Sequence, residues 1–304
     1  MLDCAPPNIV TVIEAPAENI GGAMVGFLLA PFQPLREQLT AITGIGLDAD
    51  VPEGAALRRM KLRVEGNPEL NYLASGTRAG SRVVFIHGSP GVAEEWARFL
   101  ADVPAGQYRA AVDRPGFGAS VEQEPVLSIA DQARLIAPLL GDGSVVVGYS
   151  FGGPVALRLA VDHPHQVKGI VLIGSAGDPE REETHPLQHV AALPYFSALL
   201  PIELANSNAE LLALRPELET LAEDLGRIDV PVTIVQGLQD TLVPPENAAY
   251  IRSRLSPTLS ARVVLIEDGD HFLPWTHTRL IEDVIACAID DASGQSLSEG
   301  PPPR

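Results

Sequence analysis

Cysteine is nearly missing from the 304 residues: Cys4 and Cys287, one near each end, make neither a disulfide framework nor a metal-ligand spacing. That scarcity leans the compartment towards the cytoplasm. Positive charge is also scarce, with 21 Lys and Arg against 39 Asp and Glu and a formal net charge of -18. The net acidity argues against a nucleic-acid partner, and a neutral small molecule fits best. Long apolar runs are absent too. The most apolar early stretch, Ala23 to Ala30, stops at Pro31, far short of the roughly 20 residues a spanning helix needs. An export signal would need a basic start, whereas Asp3, Glu14 and Glu18 precede any Lys or Arg. No fixed-period repeat is visible. What is present is 46% hydrophobic and 20% charged residues, ordinary for a chain that buries one large core or two small ones.

Residues 1–55 mix Pro and Gly with short apolar pieces and read as an N-terminal extension. Only Pro34 to Ile42 has helical character there, with Pro34 suited to a first turn and Gly44 able to close it. From Leu57 the signals sharpen. Leu57 to Val64 and Leu70 to Leu73 flank Gly66-Asn67-Pro68 and predict a hairpin. Short β-rich runs follow at Arg82 to Ile86, Arg109 to Val112, Ser144 to Val147, Gly169 to Ile173, Val232 to Val235 and Arg262 to Ile266, with helical stretches between them. Such alternation predicts an α/β fold with a mainly parallel sheet covered by helices on both faces. It lapses over 179–228, which is Leu- and Ala-rich and without a strand candidate, so this is an insertion between core parts 56–178 and 229–292. The tail, 293–304, is low in complexity and reads as mobile.

Chemistry concentrates first in Gly148-Tyr149-Ser150-Phe151-Gly152-Gly153, set between a strand and the helix-like Pro154 to Ala160. A serine on a tight strand-to-helix turn has a strained backbone, so the residues two positions either side must be small; here they are Gly148 and Gly152. The hydroxyl is presented at the carboxyl edge of the sheet, with the positive end of the next helix beside it. A serine needs a base to take its proton, and the base needs an acid to orient it. The second constellation is His87-Gly88-Ser89-Pro90-Gly91, directly after a strand, and Asp113-Arg114-Pro115-Gly116-Phe117-Gly118 follows the next one.

With these turns in place, 57–292 resembles the α/β-hydrolase family. The resemblance implies that the Ser89 and Phe151 backbone amides form an oxyanion hole, and that His87 orders its loop rather than acting as base. It places the acid at Asp240, after the strand Val232 to Val235, and the base at His271, in Asp268-Gly269-Asp270-His271-Phe272-Leu273-Pro274-Trp275 after the last strand. The order Ser, Asp, His is that of the family. It also implies that the insertion is a small helical cap. The expected substrate contacts are His87, Tyr149, Val243, Phe272 and Trp275 around the triad and Tyr195 and Phe196 from the cap.

Competitors exist for each role. Asp178 also follows a strand, and some family members take the acid there. Asp268 and Asp270 are too near His271 in sequence to bridge its ring; His163, His165, His185, His189 and His277 follow no core strand. The resulting expectation is a Ser-His-Asp hydrolase of a small to medium carboxylic ester, using no metal or cofactor, with oligomeric state left open. A serine in the elbow disfavours dehalogenase and epoxide-hydrolase chemistry, which use aspartate there. Lactonase, thioesterase, carbon–carbon hydrolase and aminopeptidase activities share the triad, and a ligand sensor of the same fold is the alternative from another class.

Overall fold

The structure, a computed structural model, describes residues 10–15 and 57–298. Its frame is a nine-stranded sheet: β1 (Val10–Ile13), β2 (Arg58–Leu62), β3 (Leu70–Gly76), β4 (Ser81–Ile86), β5 (Gln107–Asp113), β6 (Ser144–Tyr149), β7 (Val167–Ile173), β8 (Val232–Gly237) and β9 (Ala261–Ile266), in the order β1-β9-β8-β7-β6-β4-β5-β3-β2. All pairings from β1 through β5 in that order are parallel; β3 pairs antiparallel with both β5 and β2, the expected hairpin.

Parallel strands need covered faces, and their side chains alternate between two apolar layers. Val84 and Ile86 of β4, Val146 of β6 and Ile170 and Leu172 of β7 pack with helices α2 (Ile129–Ile136), α3 (Gly152–Asp162), α6 (Ile202–Asp224) and α7 (Glu246–Arg254). Val83, Phe85, Val145, Val147, Val171 and Ile173 point the other way, onto α1 (Ala97–Ala101) and α9 (Thr278–Ser298). Each such side chain contributes about 1.5–3 kcal/mol when fully buried. Three further short helices are α4 (Pro186–Ala191), α5 (Pro194–Ser197) and α8 (Leu273–Thr276). Between β7 and β8 the described chain is helical throughout its regular structure.

Four points extend or correct the sequence reading. Val10–Ile13 forms β1, pairing in parallel with β9 at the sheet edge; four half-exposed residues amid Pro and Gly give little periodic signal. The helix expected over Pro34 to Ile42 lies outside the described residues. Helix α9 runs to Ser298, beyond Ala292, where the low-complexity tail was expected to begin. Cys287, buried on α9, is disulfide-bonded, which corrects the cysteine reading and removes a support for the cytoplasmic expectation. Cys4 lies outside the described residues. No helix among the described residues is long and apolar enough to cross a membrane.

Candidate active site

Strand β6 ends at Tyr149, helix α3 begins at Gly152, and Ser150 makes the turn with φ 52°, the single positive φ of a non-glycine among the described residues. A left-handed backbone costs a side-chain-bearing residue roughly 1–2 kcal/mol, so its surroundings must hold it there. They do so by hydrogen bonds, Ser150 N–H donating to the Ile173 carbonyl (3.0 Å) and Gly153 N–H to the Ser150 carbonyl (3.1 Å). They also do so by crowding. A Cβ on Gly148 would lie 2.5 Å from the Gly152 carbonyl oxygen, and one on Gly152 would lie 2.3 Å from that of Ile86. The glycines two positions either side of Ser150 are therefore required by contact with backbone that cannot yield.

Asp240 follows β8 in a turn whose own N–H groups face its carboxylate. Oδ1 accepts from Leu242 N–H (2.9 Å) and Val243 N–H (2.8 Å), and Oδ2 accepts from the Gln236 side-chain amide (3.1 Å). The same Oδ2 lies 2.7 Å from His271 Nδ1, and both side chains are buried. A carboxylate at Nδ1 holds the proton on that nitrogen and leaves the Nε2 lone pair available, the arrangement a general base needs. Gly174, at the end of β7 with φ 49°, makes room: a Cβ there would lie 3.2 Å from His271 Nδ1 and 3.4 Å from Asp240 Oδ2. The neighbouring Ile173 carbonyl holds the Ser150 amide, so the serine turn and the Asp–His pair meet at the end of β7. Ring centroids of Tyr149 and Phe272 lie 5.0 and 5.9 Å from that of His271, and Trp275 packs edge-on to Tyr149 at 5.5 Å. Burial pushes the Tyr149 phenol well above its usual range, so it stays neutral. Val243 thus contributes its backbone N–H to the Asp240 carboxylate, Tyr149 and Phe272 pack against the imidazole, and Trp275 packs on both of those rings.

The turn after β4 comes to the serine from the other side. A Cβ on Gly88 would lie 3.1 Å from the Ser150 Cβ. His87 is buried, and desolvation followed by the Arg114 charge holds its imidazole well below the usual range, hence neutral. One tautomer satisfies both its contacts, with Nδ1–H donating to the Gly88 carbonyl (2.8 Å) and Nε2 accepting from Arg114 N–H (3.1 Å). Both nitrogens are thus engaged in the loop. Asp113 is architectural in the same sense: its Oδ1 accepts from Ala93 N–H (2.8 Å) and it pairs with Arg59.

The rival residues are occupied elsewhere. Asp178 Oδ1 accepts from Glu180 N–H (3.0 Å), and its own N–H donates to Asn247 Oδ1 (2.8 Å). Asp270 Oδ1 accepts from Phe272 N–H (2.9 Å), a turn contact. His277 lies 2.8 Å from the Ala15 carbonyl, and His185 caps α4. Tyr195 and Phe196 stand on α5, exposed, with their rings edge-to-face at 5.6 Å. Three participants were not singled out from the sequence: Gly174, Gln236 and Glu210, the last buried on α6 in an ion pair with Arg114 at 2.5 Å. The sequence of residues 87–91 carries no cue that a distant glutamate reaches this turn. Among the described residues no group of three or more His, Cys, Asp or Glu could hold a metal ion.

Comparison with known proteins agrees with this architecture. A pimeloyl-[acyl-carrier protein] methyl ester esterase of Aromatoleum aromaticum is 30% identical over 251 residues, covering 67% of this chain and 97% of that protein. Esterase Rv0045c of Mycobacterium tuberculosis is 25% identical over 297 residues, covering 84% and 98%. In structure, the 2-hydroxy-6-oxo-6-phenylhexa-2,4-dienoate hydrolase of Rhodococcus sp. strain RHA1 superposes with a TM-score of 0.59 at 20% identity, over 77% of this chain and all of that one, a likeness of fold alone. The model of the alpha/beta hydrolase family matches residues 83–284, and with the strand order, the serine turn and the buried Asp–His pair already described, this chain belongs to the alpha/beta hydrolase family.

Proposed function

We propose that the chain is a serine hydrolase that cleaves a small to medium carboxylic ester through an acyl-enzyme. The observation that carries this reading is the strained Ser150 at the end of β6, preceded by Tyr149, whose ring packs 5.0 Å from a buried imidazole with its Nδ1 committed to Asp240. Ser150 Oγ attacks the ester carbonyl carbon while His271 Nε2 takes the hydroxyl proton. The carbonyl oxygen becomes an oxyanion and accepts hydrogen bonds from the Ser89 and Phe151 amides, the latter beside the N-terminus of α3. Collapse expels the alkoxide, which receives the proton from His271. Water then gives its proton to His271, attacks the acyl carbon and releases the acid, restoring Ser150. The helices between β7 and β8 act as a cap over this centre, with Tyr195 and Phe196 contacting the acyl group. The relatives' names, esterase and methyl ester esterase, support an ester over the other groups a serine can acylate.

A fluorophosphonate probe tests the whole assembly, because its attack requires the serine, the base and the oxyanion donors together. Wild-type protein should be labelled at Ser150 and should turn over an aryl ester repeatedly. Ser150→Ala should lose labelling and about 10⁶-fold in rate while remaining folded. Labelling at another residue, or full turnover by Ser150→Ala, would refute the assignment; a single burst with the acyl group retained would favour a sensor.

A further inference from the structure

The Arg114–Glu210 pair joins α6 to the turn after β4, and its contacts converge on one peptide unit. Glu210 is buried on α6, well past the exposed tip of the insertion; its Oε1 accepts from Arg114 Nη1 (2.5 Å) and Gln132 Nε2 (3.0 Å). Its Oε2 accepts from the Ser89 hydroxyl at 2.6 Å. Arg114 is equally buried; Nη1 also reaches Gln132 Oε1 (3.1 Å), and Nη2 donates to the Gly88 carbonyl at 2.6 Å. The guanidinium carbon lies 4.8 Å from the Phe117 ring centroid and 4.6 Å from that of Phe151. One arginine therefore touches both sides of the proposed oxyanion hole: the Gly88 carbonyl before one donor and the side chain of the other.

Gly88 C=O and Ser89 N–H belong to the same planar trans unit and point in opposite directions. Two donors, Arg114 Nη2 and His87 Nδ1, hold that carbonyl, and Glu210 holds the side chain on the next residue. Fixing the carbonyl fixes the amide. A cation on the carbonyl also polarises the unit, making its N–H a stronger donor where negative charge develops.

We infer that Glu210 is a positioning residue: through Arg114 and the Ser89 hydroxyl it sets the direction of the Ser89 amide, so the helix between β7 and β8 shapes the oxyanion hole without touching substrate. This rests on the proposed serine mechanism. Glutamate suits the task because its two oxygens serve two donors at once, and burial without a partner would be costly for either ion.

Steady-state kinetics on an aryl ester, with phosphonate labelling of the same samples, tests it. Glu210→Met should lower kcat about 10²-fold with KM nearly unchanged, because the interaction is used when the oxyanion forms. Glu210→Gln, which keeps one acceptor, should recover part of the loss. Should Glu210→Met fail to fold, Ser89→Ala decides: it removes the hydroxyl that Glu210 holds at 2.6 Å and that also lies 3.1 Å from the Ser207 hydroxyl, keeps the ion pair, and should slow both acylation and labelling roughly 5- to 10-fold. A merely structural pair would lower the melting temperature yet leave kcat and labelling rate at wild-type values in folded Glu210→Gln and Ser89→Ala, and that result overturns the inference. Absence of wild-type labelling at Ser150 would instead refute the serine mechanism on which it rests.

Discussion

At the ends of β6 and β8, Ser150 and Asp240 are held from several directions; at the tip of the helical stretch that follows β7, almost nothing is held. Ser150 is constrained by its φ, by three backbone hydrogen bonds and by glycines with no room for a Cβ. Asp240 has both oxygens filled before His271 is counted. On α4 and α5, by contrast, no residue is buried, and Leu187, Tyr195 and Leu199 stand 67%, 74% and 70% exposed. Helix α6 lies between these extremes, burying Glu210, Leu214, Leu218 and Leu221. The difference is one of precision: the residues proposed for the chemistry sit at sheet ends that hold them from several directions, and the rings proposed to cover the acyl group sit where few contacts hold them.

The comparison is broken most directly at the acid. Asp240→Asn leaves an amide where His271 needs a carboxylate, so kcat should fall about 10³- to 10⁴-fold, while Asp178→Asn should change it less than about twofold because Asp178 serves a local turn. Steady-state rates on folded variants check the ranking; the reverse order would move the acid to Asp178.

A subtler effect concerns stability beside the site. Burial raises the Glu95 carboxyl to about 8 from 4.5, and its Oε2 is shut from solvent without a hydrogen-bond partner. Because the folded-state value is the higher one, the folded state binds the extra proton. Stability from this group is full below about pH 4.5 and is lost as pH rises through about 8. Thermal melts should therefore show Glu95→Gln losing less stability than wild type between those limits. A parallel pair of curves would mean that Glu95 has no raised value.

The smallest effect is expected at the tip. Replacing Tyr195 and Phe196 by alanine removes two exposed rings, so the melting temperature should hold within a degree or two. Relative kcat/KM across a series of acyl chain lengths should nonetheless shift several-fold, on the order of one methylene's worth of binding per step. An equal change for every substrate would make these rings packing residues only.

The serine turn was legible because its causes are local: a strand run, two glycines and a helical run lie together between Ser144 and Ala160, and steric exclusion acts between close neighbours. Asp240 and His271 were legible from their place after core strands, helped by resemblance to a known family. Glu210 was not. On α6 it recurs with other glutamates among leucines at helical spacing, and a glutamate on such a helix reads as a solvated surface charge. Nothing near it in sequence tells that α6 turns this face onto Arg114, which lies 96 residues away. Strand β1 was missed for the opposite reason, since its four residues owe their regularity to pairing with β9 rather than to their own pattern.

What short-range physics controls could be read from the sequence: the alternation of buried strands and helices and the turn that strains Ser150. Only the folded chain brings the Asp240 carboxylate to 2.7 Å from the imidazole, shows why Gly174 must follow β7, and lets a buried Arg–Glu pair grip the Gly88–Ser89 peptide. Those outcomes depend on groups far apart in the chain meeting at distances near 3 Å, where burial makes each unpaired charge or donor costly and so selects one arrangement.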